Sequence, residues 1–225
     1  GPDHPGTLTA QNNLADVYKS AGRLNEAIDL CERTLADQSH VLGPDHPDTL
    51  TTQNNLADAY KSAGRLNEAI DLLEQNLSDR LRVLRPDHPD TLITRNSLAD
   101  AYKSAGRLER SIHLLEQNLT DHERILGPDH PRTLISRNNL AGSYREADRL
   151  DEAIDLYERD LADGLRILSP DHPYIFNSRN NLAGTYYVAG RLDEAIPLFE
   201  RTLADRERVL GPDHPDTLTA RNNLA

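Results

Sequence analysis

The chain has 225 residues, a formal net charge of -12 and a mean hydropathy of -0.67, with 37% hydrophobic and 4% aromatic residues. Its acidity excludes a general nucleic-acid or anionic-membrane binder, which needs a cationic face to release counterions, and there is no apolar run of about 18 residues to cross a bilayer. Cys31 is the only cysteine, which excludes an intramolecular disulfide and a thiolate metal cluster within one chain and permits a reducing, cytoplasmic setting.

From the N-terminus onward one segment keeps returning. Near copies of Gly-Pro-Asp-His-Pro-Asp-Thr-Leu begin at Gly1, Gly43, Arg85, Gly127, Ser169 and Gly211, a 42-residue period without insertion or deletion. Self-similarity at a period of about 20 to 50 residues marks stacked supersecondary units, none of which can bury its apolar face alone. The expected organisation is a single array of units 1–42, 43–84, 85–126, 127–168 and 169–210 with a partial unit 211–225. The abrupt start and stop within the motif read as a fragment of a larger protein.

In the second unit Leu50, Gln53, Leu56, Ala57, Tyr60 and Ala63 recur at three- and four-residue steps, which predicts a helix from about residue 48 to residue 63, ended by Gly64. Asn67 is then expected to cap a second helix, traced by Ala69, Ile70, Leu73, Leu77, Leu81 and Leu84. Pro86 stops that helix and Pro89 opens the next as its first helical residue. Each unit is therefore a helical hairpin whose two helices are ~24 and ~27 Å long at ~1.5 Å per residue.

Leu56, Ala57, Tyr60, Gly64, Ala69 and Leu73 match the spacing of the tetratricopeptide repeat pattern, and the match covers essentially the whole chain. The 42-residue length, the linker Gly-Pro-Asp-His-Pro and the run Asn54-Asn55-Leu56-Ala57 make the chain resemble, more specifically, the kinesin-light-chain type. Gln53 stands where the general pattern has Trp and Ala57 where it has Gly; both departures are shared with that type. The resemblance implies an all-α, right-handed superhelical solenoid of stacked helical hairpins, with the first helices lining a concave peptide-binding surface. It does not imply motor function, because similar arrays also sit beside signalling nucleotidase domains, as in bacterial signalling.

Six of the nine histidines, His4, His46, His88, His130, His172 and His214, fall one per repeat in the linker, too far apart to share a metal ion. With Asp45 and its equivalents they are expected to satisfy backbone amides at the start of the next helix. His113 and His122 are expected to be solvated, and Cys31 to be a small core residue at the position of Leu73. Carboxylates such as Glu68, Asp71 and Glu74 recur in register on the second helices. A repeated solvated face cannot separate the pKa values of a catalytic pair, so no catalytic, metal or cofactor site is expected.

The first helices carry a more informative stripe, Asn54, Asp58 and Lys61, repeated at Asn96, Asp100 and Lys103. The first asparagine of each pair, at Asn54, Asn96, Asn138 and Asn180, is a candidate for holding the backbone of an extended peptide, the alternative being a bond to a neighbouring helix. In the fourth and fifth units the aspartate becomes Gly142 and Gly184, and the lysine becomes Arg145 and Tyr187. Glycine inside a helix costs ~1 kcal/mol relative to alanine. The two glycines therefore suggest close approach of a ligand or packing room for Tyr144 and Tyr186.

The fifth unit also carries Tyr174, Ile175, Phe176 and Val188, a set suited to an interface, and Pro197 in the first turn of its second helix. The expected function is a noncatalytic scaffold holding a protein or peptide partner with acidic and apolar side chains, with no nucleic-acid or membrane role. The alternative is a structural spacer or head-to-tail self-assembling array, since the partial unit copies the start of the chain.

Overall fold

The structure is a computed structural model that describes residues 5–224; His4, among the linker histidines, lies outside the described residues. The described residues form eleven helices and no strand. They are α1 (Pro5–Ser20), α2 (Leu24–Val41), α3 (Pro47–Ser62), α4 (Leu66–Val83), α5 (Pro89–Ser104) and α6 (Leu108–Leu126). There follow α7 (Pro131–Glu146), α8 (Leu150–Ile167), α9 (Pro173–Val188), α10 (Leu192–Leu210) and α11 (Pro215–Leu224). The chain divides into two compact units, Gly1–Leu114 and Leu115–Ala225, called unit 1 and unit 2 below.

The linker chemistry explains where the odd-numbered helices begin. Proline opens α3, α5, α7 and α9, where its missing N–H is no loss. The preceding His46, His88, His130 and His172 accept a bond at Nδ1 from the backbone N–H two residues on, at 3.1 to 3.2 Å. The linker aspartate does not share this task. Asp45, Asp129 and Asp171 instead accept from Arg82, Arg166 and Arg208 of the same repeat's second helix, at 2.9, 2.7 and 3.0 Å. A guanidinium offers a bidentate, charge-assisted partner that a backbone amide cannot match.

The hairpin tip is closed by a left-handed residue, Gly64 at φ +75° or Gly106 at φ +71°. The second helix then begins one residue earlier than the expected cap. Asn67 lies inside α4, and Arg65 holds the N-cap position without a side-chain capping bond. Arg65 donates to Glu68 at 2.7 Å and stacks 4.2 Å from the centroid of the Tyr60 ring, while Asn67 accepts from Arg107 at 2.8 Å. A cation held between a carboxylate and an aromatic face sets this start in place of an asparagine cap.

Within unit 1, Leu56 and Ala59 of α3 pack against Ala27, Ile28 and Cys31 of α2, and Leu98, Ala101 and Tyr102 of α5 against Ala69, Ile70 and Leu73 of α4. Each large side chain of this kind contributes ~1.5 to 3 kcal/mol on full burial. Burial pushes the Cys31 thiol up to about 11, which leaves it a small apolar residue at neutral pH. A tyrosine of each first helix reaches back to the preceding second helix: Tyr60 donates to Glu32 and Tyr144 to Glu116, both at 2.7 Å, with Tyr102–Glu74 and Tyr186–Glu158 matching them.

Unit 2 keeps this plan but fills one interface differently. Ile175 and Phe176 are buried, and Tyr174 bonds the buried Asp160 of α8 at 2.5 Å. A Cβ on Gly164 would lie 3.0 Å from Ile175 Cδ1, so the glycine makes room for the larger residues of α9. Tyr174 and Ile175, expected at an interface with a partner, thus pack internally against the preceding repeat, and Phe176 is buried as well; of that set Val188 is exposed.

Candidate functional site

The asparagine column is engaged between repeats. In unit 1 Asn12 Nδ2 donates to Thr52 at 2.7 Å and Asn54 Nδ2 to Thr94 at 3.0 Å, and Asn96 also has a partner. In unit 2 Asn138 accepts from Asn181 at 3.2 Å and reaches Asp160 at 3.5 Å, while Asn180 accepts from Asn223 at 3.0 Å. These amides tie consecutive first helices together, which leaves part of their donor and acceptor capacity for anything else.

The acidic and basic members of the stripe form a ladder in unit 1. Lys19 bridges Asp16 at 3.1 Å and Asp58 at 2.5 Å, and Lys61 bridges Asp58 at 3.1 Å and Asp100 at 2.5 Å. Partial burial pushes the Asp58 carboxyl up, but the Lys19 and Lys61 ammonium groups outweigh it and hold the pKa below the ordinary carboxylate value. The ladder is a self-neutralised surface.

In unit 2 the corresponding positions open instead. Arg145, Asn180, Gly184 and Tyr187 line one cavity of about 650 Å³, a volume typical of small-ligand and peptide pockets. Its apolar part comes from Leu192, Ile196 and Phe199 of α10. Tyr187 is 64% exposed, and Arg145 Nη1 lies 3.5 Å from where a Cβ on Gly184 would stand. This face thus presents a cation and an aromatic ring where unit 1 has its ladder.

Gly142 is not in this cavity. Its Cβ would meet Tyr157 Oη at 3.4 Å, and that of Gly184 would meet Arg145 Nη1 at 3.5 Å, both ordinary contacts. The neighbours are therefore Tyr157 and Arg145, not Tyr144 and Tyr186 as the sequence suggested. An alanine would fit at Gly184, so packing does not demand glycine there.

Sequence reasoning missed the cavity floor. Ile196 occupies the column of Ile70, which Leu98, Ala101 and Tyr102 of the next first helix cover; α11 reaches only to Leu224, the position of Leu98, so Ile196 is 45% exposed where Ile70 is 1% exposed. It also missed His122, which is half-buried with Nδ1 2.7 Å from Ser136 Oγ; His113 is exposed as expected. Among the described residues no group of three His, Cys, Asp or Glu side chains could hold a metal ion, and no helix is long and apolar enough to cross a membrane.

Profiles of tetratricopeptide repeats match residues 6–80, 62–120 and 98–162, and a second such profile matches residues 176–216. The chain belongs to the tetratricopeptide repeat family. The crystal structure of a Podosopora anserina protein of nearly identical TPR-like repeats, named for kinesin light chain, is 34% identical with a TM-score of 0.83, covering 91% of this chain and 97% of its own. BtubC (BKLC) from P. vanneervenii shares the fold at 23% identity and a TM-score of 0.79, over 93% of this chain and 83% of that one. MamA from Desulfovibrio magneticus RS-1 does so at 12% identity and a TM-score of 0.63, over 89% and 96%. No curated protein matches. The tetratricopeptide repeats of this chain are kinesin-light-chain-like, and such repeats build protein-protein interaction scaffolds that are typically noncatalytic.

Proposed function

We propose that the first-helix face of unit 2 binds an extended segment of a partner protein, with an apolar side chain against Tyr187 and an acidic one against Arg145. The observation that carries this reading is that the Lys–Asp ladder of unit 1 gives way on this face to Arg145, Gly184 and Tyr187. Asn180 supplies amide capacity for the segment's backbone, and Tyr187 an exposed ring of the class enriched at interfaces. Asn138 and Gly142 support this face from behind through Asp160 and Tyr157. In unit 1, Asn54 and Asn96 are held in contacts of their own and contribute a scaffold surface.

Fluorescence anisotropy with two labelled 12-residue peptides, one pairing Leu with Glu and one pairing Leu with Lys, tests the reading. The Glu peptide should bind more tightly, and Arg145→Glu should weaken it by about tenfold or more, equivalent to ~1.4 kcal/mol. Gly184→Ala should weaken it as well while stabilising the fold by about 0.5 to 1 kcal/mol, because the new methyl enters the cavity and removes a helical glycine. Equal binding by all three proteins removes the model.

A second reading is head-to-tail association, since near-identical repeats present complementary faces to one another. Light scattering over a concentration series separates the two: rising mass supports association, and a monomer at high concentration removes it.

A further inference from the structure

Lys61 of the unit 1 ladder stands between two carboxylates, Asp58 of its own helix and Asp100 of the next repeat. Arg145 occupies the column of Lys61, and the two corresponding positions are Gly142 and Gly184. Its guanidinium reaches toward the next repeat as Lys61 does, with Nη1 3.5 Å from where a Cβ on Gly184 would stand. Unit 2 therefore keeps the cation of the ladder and has neither of its aspartates.

A second group meets the same spot from the other helix of the hairpin. Tyr157 of α8 holds a column that is apolar in the other repeats, at Cys31, Leu73, Leu115 and Phe199. It is only 2% exposed, and its hydroxyl lies 3.4 Å from the position of a Cβ on Gly142. Tyr60, Tyr144, Tyr174 and Tyr186 each donate to a carboxylate, whereas the Tyr157 hydroxyl has no hydrogen-bond partner among the described residues. Burial pushes this hydroxyl up to about 12, so it stays a neutral donor at physiological pH. Asp160 does not take it, being bonded already by Tyr174 and Ser178.

These departures from the period cost stability. A buried donor left unpaired is destabilising, and so is a glycine inside a helix. Packing demands neither glycine, because a methyl at 142 or 184 would make only an ordinary contact. What the four residues share is a position: a carboxylate beside Gly142 would stand where the ladder has its aspartate, within reach of both the cation and the unpaired donor. We propose that the acidic side chain of the bound segment places its carboxylate at Gly142, where it takes the part of the ladder aspartate, pairs with Arg145 and accepts a hydrogen bond from Tyr157. This subsite rests on the reading that the first-helix face of unit 2 binds a partner segment, and it adds Tyr157, on the second helix, as a specificity-determining residue.

Anisotropy on the full chain with the labelled Leu/Glu peptide and a matching Leu/Gln peptide tests the subsite. Tyr157→Phe should bind the Glu peptide about tenfold more weakly and the Gln peptide as the wild type does. Without peptide this variant should melt no lower than the wild type, because no internal hydrogen bond is lost. A lower melting temperature, or unchanged binding of the Glu peptide, overturns the proposal. Gly142→Asp rebuilds the ladder carboxylate within the chain; it should melt higher and bind the Glu peptide at least tenfold more weakly, and unchanged binding here overturns the proposal as well. Arg145→Glu separates the two levels. Weakening by Arg145→Glu alone leaves the face as a binding surface and removes the Tyr157 subsite, whereas equal binding by the wild type and all three variants removes both.

Discussion

Between α4 and α5 of unit 1, Arg80 donates from Nε to Asn76 at 2.9 Å and places Nη1 3.2 Å from the Asp90 carboxylate. Between α8 and α9 of unit 2 the same three columns hold Asp160, Gly164 and Tyr174. There the carboxylate has moved to the other side of the interface. Asp160, wholly buried, accepts from Tyr174 at 2.5 Å and Ser178 at 2.7 Å, and the arginine's space is filled by Tyr174 and Ile175. Burial pushes the Asp160 carboxyl above the ordinary range, with the hydroxyl donors opposing it. An arginine facing aspartate and an aspartate facing tyrosine thus satisfy one backbone geometry, and the members of each set make sense only together.

The sharpest way to break this comparison is to move one member across. Gly164→Arg places a guanidinium against Ile175 and Tyr174, and overpacking plus an imperfectly paired buried charge should cost on the order of 4 kcal/mol. Urea denaturation reads this as a lower midpoint at constant slope. The apolar contacts provide the control: Leu98→Ala and Leu182→Ala, equivalent buried residues in the two units, should each cost ~2 to 5 kcal/mol. A large difference between them would mean that the two regions differ in more than their polar set.

A smaller effect separates the charges. Asp160→Asn introduces the residue found at Asn76 and should cost about 1 kcal/mol at neutral pH by weakening two hydrogen bonds. Because the folded-state pKa of Asp160 is raised, the folded chain holds its proton more tightly than the unfolded one. Its contribution is therefore fully present below the ordinary carboxylate value and declines as pH rises through the raised one. Wild type should gain on Asp160→Asn as pH falls from 7 toward 4, measured by paired urea titrations. The least effect is expected at Asp148, which sits at φ 59° where Gly64 and Gly106 close the other tips; Asp148→Gly should stabilise unit 2 by about 0.5 to 1 kcal/mol, read as a small rise in melting temperature.

Much of the architecture was legible because periodicity and linker chemistry are local. The spacing of Leu56, Tyr60, Ile70 and Leu73 marked the hairpin, and His46 and Pro47 marked a helix start. What was not legible depends on partners distant in sequence. Asp45 turns to Arg82, thirty-seven residues away, and Asn54 to Thr94, forty away. Tyr174 looked like a surface anchor because nothing local reveals that Gly164, ten residues earlier, leaves it a space. The period did single out Gly184 and Tyr187 as departures. That Gly184 lies beside Arg145, thirty-nine residues earlier, is geometric and carries no local signal.

The coupled set of Asp160, Gly164 and Tyr174 also bears on how such a gene can be rearranged. Asp160 and Gly164 lie before the linker and Tyr174 after it, so an exchange cut at Gly-Pro-Asp-His-Pro separates them. A repeat ending in Asp160 and Gly164, joined to one that begins as Asp90 does, would set two carboxylates across a gap that no arginine fills. An exchange cut at the hairpin tips, near Asp148 and Gly190, would carry the whole set, together with the Tyr186–Glu158 bond, as one piece. The structurally coupled block here runs from tip to tip, offset by half a repeat from the motif that makes the period visible.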